Sequence, residues 1–172
     1  ELSKYKQVAS GGKYANNVGG PVANKRDFIG KYLFNIAFEN SSHPGYTTEK
    51  IAEPWLEGCI PIYWGDPEIT RDINPDCFIN IHDFPSFDAA ITYIKEVDAS
   101  PALQEKYLSA PFFKNNIVPE HLKDEVIAQN LKHFIDKCLD GLPKKATKFW
   151  HKPYYYLRKI RGVSRLVKIN LR

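Results

Sequence analysis

The chain has 172 residues, of which 43% are hydrophobic and 26% are charged, a composition that fits one globular domain and excludes collagen-like, coiled-coil and disordered proteins. No apolar run approaches the roughly 18 residues that a membrane-spanning helix needs. The net charge of +4 is uneven, because residues 141–172 hold ten of the 24 basic side chains and none of the 20 acidic ones. We therefore predict an acidic body over residues 1–140 and a cationic tail over residues 141–172. Because the chain contains no Met, we expect it to be a fragment of a longer protein.

The apolar pattern predicts three short strands that alternate with helices. Residues 1–23 are rich in Gly and Asn and indicate turns, and a short helix is expected over residues 24–32. Strands are predicted over residues 33–38, 59–64 and 78–81, and further helices over residues 47–57, from Ser86, and over residues 100–110 and 120–139. This alternation predicts an α/β domain with a parallel sheet. In such sheets, ligands bind at the carboxyl ends of the strands.

Cysteine and histidine residues do not indicate a metal site. Cys59, Cys77 and Cys138 are widely spaced and fit reduced thiols in a cytoplasmic protein. His43 and His82 have no partner at metal-ligand spacing, so they fit polar loop residues.

The segment that carries most chemical information is the loop between the first predicted strand and the next helix. Two threonines fit the helix N-cap, and Glu49 and Lys50 follow in the first turn. Free N–H groups at a helix start favour an anion, and a cation placed there against the helix dipole is favourable beside one. Tyr46 can stack on a flat ring or donate its hydroxyl, while Asn40 and Glu49 can hold sugar hydroxyls. The loop therefore suits a nucleoside diphosphate sugar; the alternative is a capped surface helix with solvated charges.

This segment resembles the signature of the family 10 glycosyltransferases, the α1,3/α1,4-fucosyltransferases. The resembling blocks include Phe-Glu-Asn-Ser at 38–41 and Tyr-Thr-Thr-Glu-Lys-Ile at 46–51, with further blocks at 10–13, 16–21, 60–65 and 78–84. The resemblance implies a Rossmann-like parallel sheet flanked by helices, the C-terminal, donor-binding half of a two-domain GT-B enzyme. It also implies transfer of fucose from GDP-fucose to the 3-hydroxyl, or the 4-hydroxyl, of a GlcNAc or glucose residue with inversion.

The resemblance assigns roles to five residues. Lys13 is expected to face the diphosphate, Asn40 and Tyr46 to contact the nucleotide and its phosphates, and Lys50 to bind the donor. Glu49 is expected beside fucosyl or ribose hydroxyls and is the catalytic candidate in this chain, since a carboxylate there can stabilise an oxocarbenium-like sugar. No cofactor beyond the donor substrate is required, and a divalent metal is not indicated.

Two departures from the family pattern affect these expectations. Pro54 falls inside the predicted helix, where it should kink the helix or remove a hydrogen bond. The base that deprotonates the acceptor belongs to the N-terminal domain in this family, so we expect the isolated chain to be inactive.

The tail has the pattern of a basic amphipathic helix. Its apolar residues recur every three or four positions at Leu157, Ile160, Val163, Val167 and Leu171. Its basic residues do the same at Arg158, Arg161, Arg165, Lys168 and Arg172. Such a helix fits an anionic lipid surface, which the resemblance to bacterial members with similar tails supports. Docking on the acceptor domain is the alternative, and nucleic acid is a remote one.

The function expected from the sequence is that of a bacterial α1,3-fucosyltransferase, present here as its donor-binding part. The expected partners are GDP-fucose, a GlcNAc- or LacNAc-type glycan such as a lipopolysaccharide O-antigen, and an anionic membrane surface, with no nucleic acid. The expected location is the cytoplasm, peripheral to the inner membrane. The alternatives are a transferase for another nucleotide sugar and a non-catalytic nucleotide-sugar-binding or membrane-docking module.

Overall fold

The structure is a computed structural model that describes residues 2–140. The first compact unit ends at Ile117, and a second begins at Val118. The predicted cationic tail lies outside the described residues, so the division at residue 140 and the amphipathic helix stay predictions. No helix within residues 2–140 is long and apolar enough to cross a bilayer.

A parallel sheet of three strands forms the centre of the first unit. The strands are β1 (Phe34–Phe38), β2 (Ile60–Trp64) and β3 (Ile79–Asn80), in the order β1-β2-β3. The central strand β2 is buried as far as Tyr63, as expected for a parallel strand covered on both faces. The predicted α/β architecture with a parallel sheet is therefore confirmed.

The third strand is shorter than the sequence predicts. Its last residue, Asn80, accepts a hydrogen bond on its side chain from the backbone N–H of His82 at 3.2 Å. This bond starts a 3-10 turn over Ile81–Asp83, so the chain leaves the sheet two residues after it enters.

The helices begin where small polar side chains cap them. Asn24, Thr48, Ser86 and Ser100 each accept a hydrogen bond from a backbone N–H of the first turn that follows. The helices are α1 (Leu2–Tyr5), α2 (Lys25–Ile29), α3 (Glu49–Leu56), α4 (Phe87–Ala99), α5 (Pro101–Ser109) and, in the second unit, α6 (Asp124–Asp140). The sequence predicts all of them except α1, which lies in the segment interpreted as turns.

Pro54 does not break α3. The helix continues past this buried proline to Leu56, and the carbonyl of Pro54 accepts from the backbone N–H of Cys59 at 2.9 Å. Gly58 then adopts a φ of +73°, which ends the helix and turns the chain into β2.

The sheet separates two apolar layers. Ile60, Ile62 and Ile79 face the helices α4 and α5, and the buried residues of this layer also include Ala90, Ile94, Val97 and Tyr107. The other layer contains Ile51 of α3 together with Ala37, Tyr63, Ile69, Ile73, Cys77 and Phe78. Helix α3 therefore packs against the sheet through its buried side chain Ile51. Its N-terminus lies at the carboxyl end of β1.

Two isoleucines that are partners in the sheet register provide a test of this core. Ile62 of β2 is 2% exposed, whereas its partner Ile36 of β1 is 44% exposed. We expect Ile62→Ala to lower the free energy of unfolding by about 2–5 kcal/mol, because it leaves a cavity. The matched change Ile36→Ala should cost less than about 1 kcal/mol. Urea denaturation measures both, and equal losses would contradict the assignment of β2 as the buried centre.

Candidate functional site

The candidate site lies where β1 ends and α3 begins. Residues 39–48 form the connecting loop, and Thr48 has an extended backbone (φ −122°, ψ −171°) that caps the helix. The site is thus at the carboxyl end of a parallel strand, where the sequence predicts ligand binding.

The most buried charged group of this loop is Glu39. Its side chain is 0% exposed, yet its carboxylate is fully supplied with donors. The backbone N–H and the hydroxyl of Thr48 both donate to Oε1 at 2.8 Å, and the Lys50 ammonium donates to Oε2 at 3.0 Å. A buried carboxylate is tolerated only when it is paired and hydrogen-bonded in this way.

Lys50 is held by internal acceptors. Its Nζ lies 3.0 Å from Glu39 Oε2 and 3.2 Å from Thr48 Oγ1. The hydrogen bond with Glu39 raises the pKa of Lys50, which keeps the ammonium charged at neutral pH. The anion expected beside this lysine is thus supplied by the protein itself, through Glu39. An ammonium has three N–H donors, so one remains for a ligand on the solvent side, where the side chain is 28% exposed.

Gly65, the first residue after β2, makes room for Glu39. A Cβ at this position would lie 2.4 Å from Glu39 Cγ and 2.8 Å from the hydroxyl oxygen of Tyr63. Because real Cβ atoms do not approach other atoms so closely, a side chain at this position would displace its neighbours.

A second buried carboxylate holds the other threonine of the loop. Asp66 is 2% exposed and accepts from the Thr47 hydroxyl at 3.1 Å. Its own backbone N–H donates to the hydroxyl of the buried Tyr63 at 2.9 Å. Each threonine is therefore bonded to a buried carboxylate: Thr47 to Asp66, which follows β2, and Thr48 to Glu39, which follows β1.

Four of the five predicted site residues lie on this loop and the first turn of α3. Asn40 and Tyr46 are exposed loop residues, and Glu49 and Lys50 open the helix. The pKa of Glu49 is lowered, mainly by a hydrogen bond from its own backbone N–H and further by Thr48 and nearby lysines. Its carboxylate is therefore ionised at neutral pH.

The fifth predicted residue, Lys13, lies on a separate loop. This loop is held together by Asn16, whose side chain accepts from the N–H of Gly20 at 3.0 Å and donates to the carbonyl of Gly12 at 2.9 Å. Lys13 is exposed. Its role at the diphosphate stays a prediction, since Lys13 lies outside the segment from Asn40 to Lys50 that holds the other four residues.

Sequence reasoning missed the residues beneath the loop. Glu39, Gly65 and Asp66 make the contacts that fix the two threonines and Lys50. Glu39 and Gly65 fall within the resembling blocks 38–41 and 60–65, but an acidic residue directly after an apolar strand is also the ordinary start of a surface loop. Within residues 2–140, no group of three or more His, Cys, Asp or Glu residues is placed to hold a metal ion.

Comparison with known proteins assigns the family. Residues 1–138 match the family model described as glycosyltransferase family 10 (fucosyltransferase) C-term. The chain belongs to this family. This confirms the resemblance inferred from the sequence and the predicted fold class, the C-terminal half of a GT-B glycosyltransferase.

Individual relatives agree with the family assignment. The chain is 47% identical over 94 residues to the alpha-(1,3)-fucosyltransferase FucT of Helicobacter pylori, a match that covers 55% of this chain and 20% of that protein. A solved alpha1,3-fucosyltransferase with GDP-fucose aligns with a TM-score of 0.68 at 35% identity, over 77% of this chain and 40% of that one. Another, with GDP, aligns with a TM-score of 0.62 at 39% identity, over 66% and 36%. The chain thus spans less than half the length of these family 10 relatives.

Proposed function

We propose that this chain is the donor-binding part of an α1,3-fucosyltransferase and binds GDP-fucose at residues 39–50. The observation that carries the proposal is the Lys50 ammonium, held beside the first turn of α3 by Glu39 and Thr48. An ammonium at the positive end of a helix dipole suits a diphosphate. Family membership and the solved relatives with GDP and GDP-fucose support the same ligand.

The chemistry of transfer gives each site residue a task. Negative charge develops on the GDP leaving group as the bond to fucose breaks, and Lys50 and the helix N-terminus stabilise that charge. The ionised Glu49 stabilises the positive charge that forms on the sugar. Asn40 and Tyr46 contact the nucleotide, and Lys13 faces the diphosphate when its loop meets the donor. No cofactor is required for this scheme.

The remaining task is removal of the proton from the acceptor hydroxyl. We assign it to a base outside this chain, in a preceding acceptor-binding domain. The acceptor would be a GlcNAc- or LacNAc-type glycan, with a lipopolysaccharide O-antigen as the expected carrier. Transfer to the 3-hydroxyl is the primary proposal, and transfer to the 4-hydroxyl is the variant of the same chemistry.

The first test concerns the donor site. Lys50→Ala removes a charge-assisted hydrogen bond, worth roughly 1.5–3 kcal/mol, so we expect GDP to bind at least about tenfold more weakly in calorimetric titration. The matched control is Lys106→Ala, which breaks the ion pair with Asp76 on the exposed surface of α5 and should leave GDP affinity unchanged. Unchanged affinity in Lys50→Ala would remove the assignment of the site.

The second test separates a complete enzyme from a donor-binding part. We expect the chain to bind GDP-fucose and to show no fucose transfer to a LacNAc acceptor, because the acceptor base lies elsewhere. Turnover at a normal enzymatic rate would place that base within the chain. Equal affinity for GDP-fucose, GDP-mannose and UDP-galactose would favour a less selective nucleotide-sugar-binding module.

The proposed location is the cytoplasmic surface of the inner membrane, and it depends on the tail. Residues 145–172 contain nine basic side chains and no acidic one, and each cation near an anionic leaflet contributes about 1 kcal/mol. We expect the chain to sediment with vesicles rich in anionic lipid and to be released as salt rises. Deletion of residues 145–172 should abolish sedimentation and preserve GDP-fucose affinity. Loss of folding after this deletion would favour docking of the tail on the protein instead.

A further inference from the structure

We propose that Glu39 is a positioning residue for the donor diphosphate, which it serves by holding Lys50 rather than by touching the donor. The inference rests on the proposed function of residues 39–50. It assigns a specific task to a side chain that none of the five predicted site residues includes.

The burial of Glu39 excludes a direct role. Its side chain is 0% exposed, and Gly65 lies against its Cβ and Cγ. The side-chain hydrogen bonds of Glu39 go to Thr48 and Lys50. Apart from the direct repulsion between its charge and an anion, this carboxylate can therefore affect a ligand only through those two residues.

The benefit of the arrangement is a lysine that is ordered before the ligand arrives. A lysine has a flexible four-carbon stem, and immobilising such a side chain on binding costs conformational entropy. The two internal acceptors on Glu39 and Thr48 fix the ammonium in the free protein. The diphosphate then meets a charged donor already in place.

The negative charge of Glu39 also disfavours a nearby anion, and this repulsion predicts the opposite effect on GDP binding. Its negative charge lies next to the place proposed for an anion, and it shares the Lys50 ammonium with that anion. If this competition dominated, loss of the charge would tighten GDP binding. Positioning dominates because the carboxylate is fully buried and its charge is compensated by the hydroxyl of Thr48 and the ammonium of Lys50.

Glu39→Gln is the substitution that tests the positioning of Lys50 most specifically. The amide oxygen of glutamine can still accept from the N–H and hydroxyl of Thr48, which preserves the helix cap. The amide NH₂ that replaces Oε2 cannot accept from Lys50. The substitution therefore removes the charged one of the two internal acceptors of Lys50 and leaves the loop tied to the strand.

The experiment is a double-mutant cycle on GDP affinity, measured by calorimetry on the full chain. We expect Glu39→Gln to weaken GDP binding by about fivefold or more, within the range of coupled neighbouring groups. In the Lys50→Ala background, the same change should cost less than about twofold, because its partner is gone. The matched control is Glu57→Gln, which loses an ion pair with Arg26 just past the end of the same helix and should bind GDP normally.

The outcomes separate this inference from the proposed function. If the unmodified chain fails to bind GDP, or Lys50→Ala binds it normally, the donor site itself is wrong. If Lys50→Ala is weakened while Glu39→Gln binds GDP normally or more tightly, the positioning role alone is overturned. An equal loss on both backgrounds would also overturn it, since it would show a general structural effect.

A measurement without a change at Glu39 covers the case in which Glu39→Gln does not fold. Lysine ammonium signals in ¹⁵N spectra of the nucleotide-free chain should include a slowly exchanging Lys50 signal, assigned by its loss in Lys50→Ala. That signal is expected because Lys50 already donates to two internal acceptors. A Lys50 signal that emerges only after GDP is added would show that the ligand, and not Glu39, orders this lysine.

Discussion

A carboxylate buried at the end of the first strand organises the ligand-binding edge of this protein. Glu39 leaves β1 with its backbone N–H still bonded to the carbonyl of Trp64 at 2.8 Å, so the pairing between β1 and β2 extends one residue past the strand. Because the Glu39 side chain is buried away from water, its carboxylate needs hydrogen-bond donors from the protein. Thr48 and Lys50 supply them, and in doing so they fix where α3 begins and where its first cation lies.

The sheet provides the frame that makes this possible. Because β1 and β2 run in parallel, the residues that follow them meet at one edge: Glu39 after β1, and Gly65 and Asp66 after β2. The two carboxylates each anchor one threonine of the same loop. Gly65 has no Cβ, and this leaves room for the side chain of Glu39. An error of one residue in strand register would separate these groups.

The electrostatic arrangement also explains how a binding site for an anion can contain buried acids. Glu39 and Asp66 lie beneath the loop, where their charges are matched by hydrogen-bond donors. Lys50 and the N–H groups of α3 lie above them. The start of α3 therefore presents the Lys50 ammonium beside the ionised Glu49 carboxylate, while the charges of the two buried acids are compensated inside the protein. This separation by depth is consistent with the donor role proposed for a member of the fucosyltransferase family.

The parallel α/β architecture and the family could be predicted from the sequence alone, as could the helix starts at Asn24, at Thr47 or Thr48, at Ser86 and at Ser100. These depend on local patterns: apolar runs, capping residues and ordered motifs. The sequence also marked Asn40, Tyr46, Glu49 and Lys50 as one group, because they lie within eleven consecutive residues. The error in the length of β3 also has a local cause, because the side chain of Asn80 accepts a hydrogen bond from the N–H of His82 and the strand ends early.

The contacts beneath that group follow from the packing of the chain and could not be predicted from the sequence. Glu39 and Lys50 are eleven positions apart, and Thr47 and Asp66 are nineteen apart, so their contacts depend on how two strands and a helix pack. An acidic residue after a strand looks the same in sequence whether it faces water or becomes buried. Burial and long-range pairing are properties of packing, and packing is the information that a local pattern does not carry.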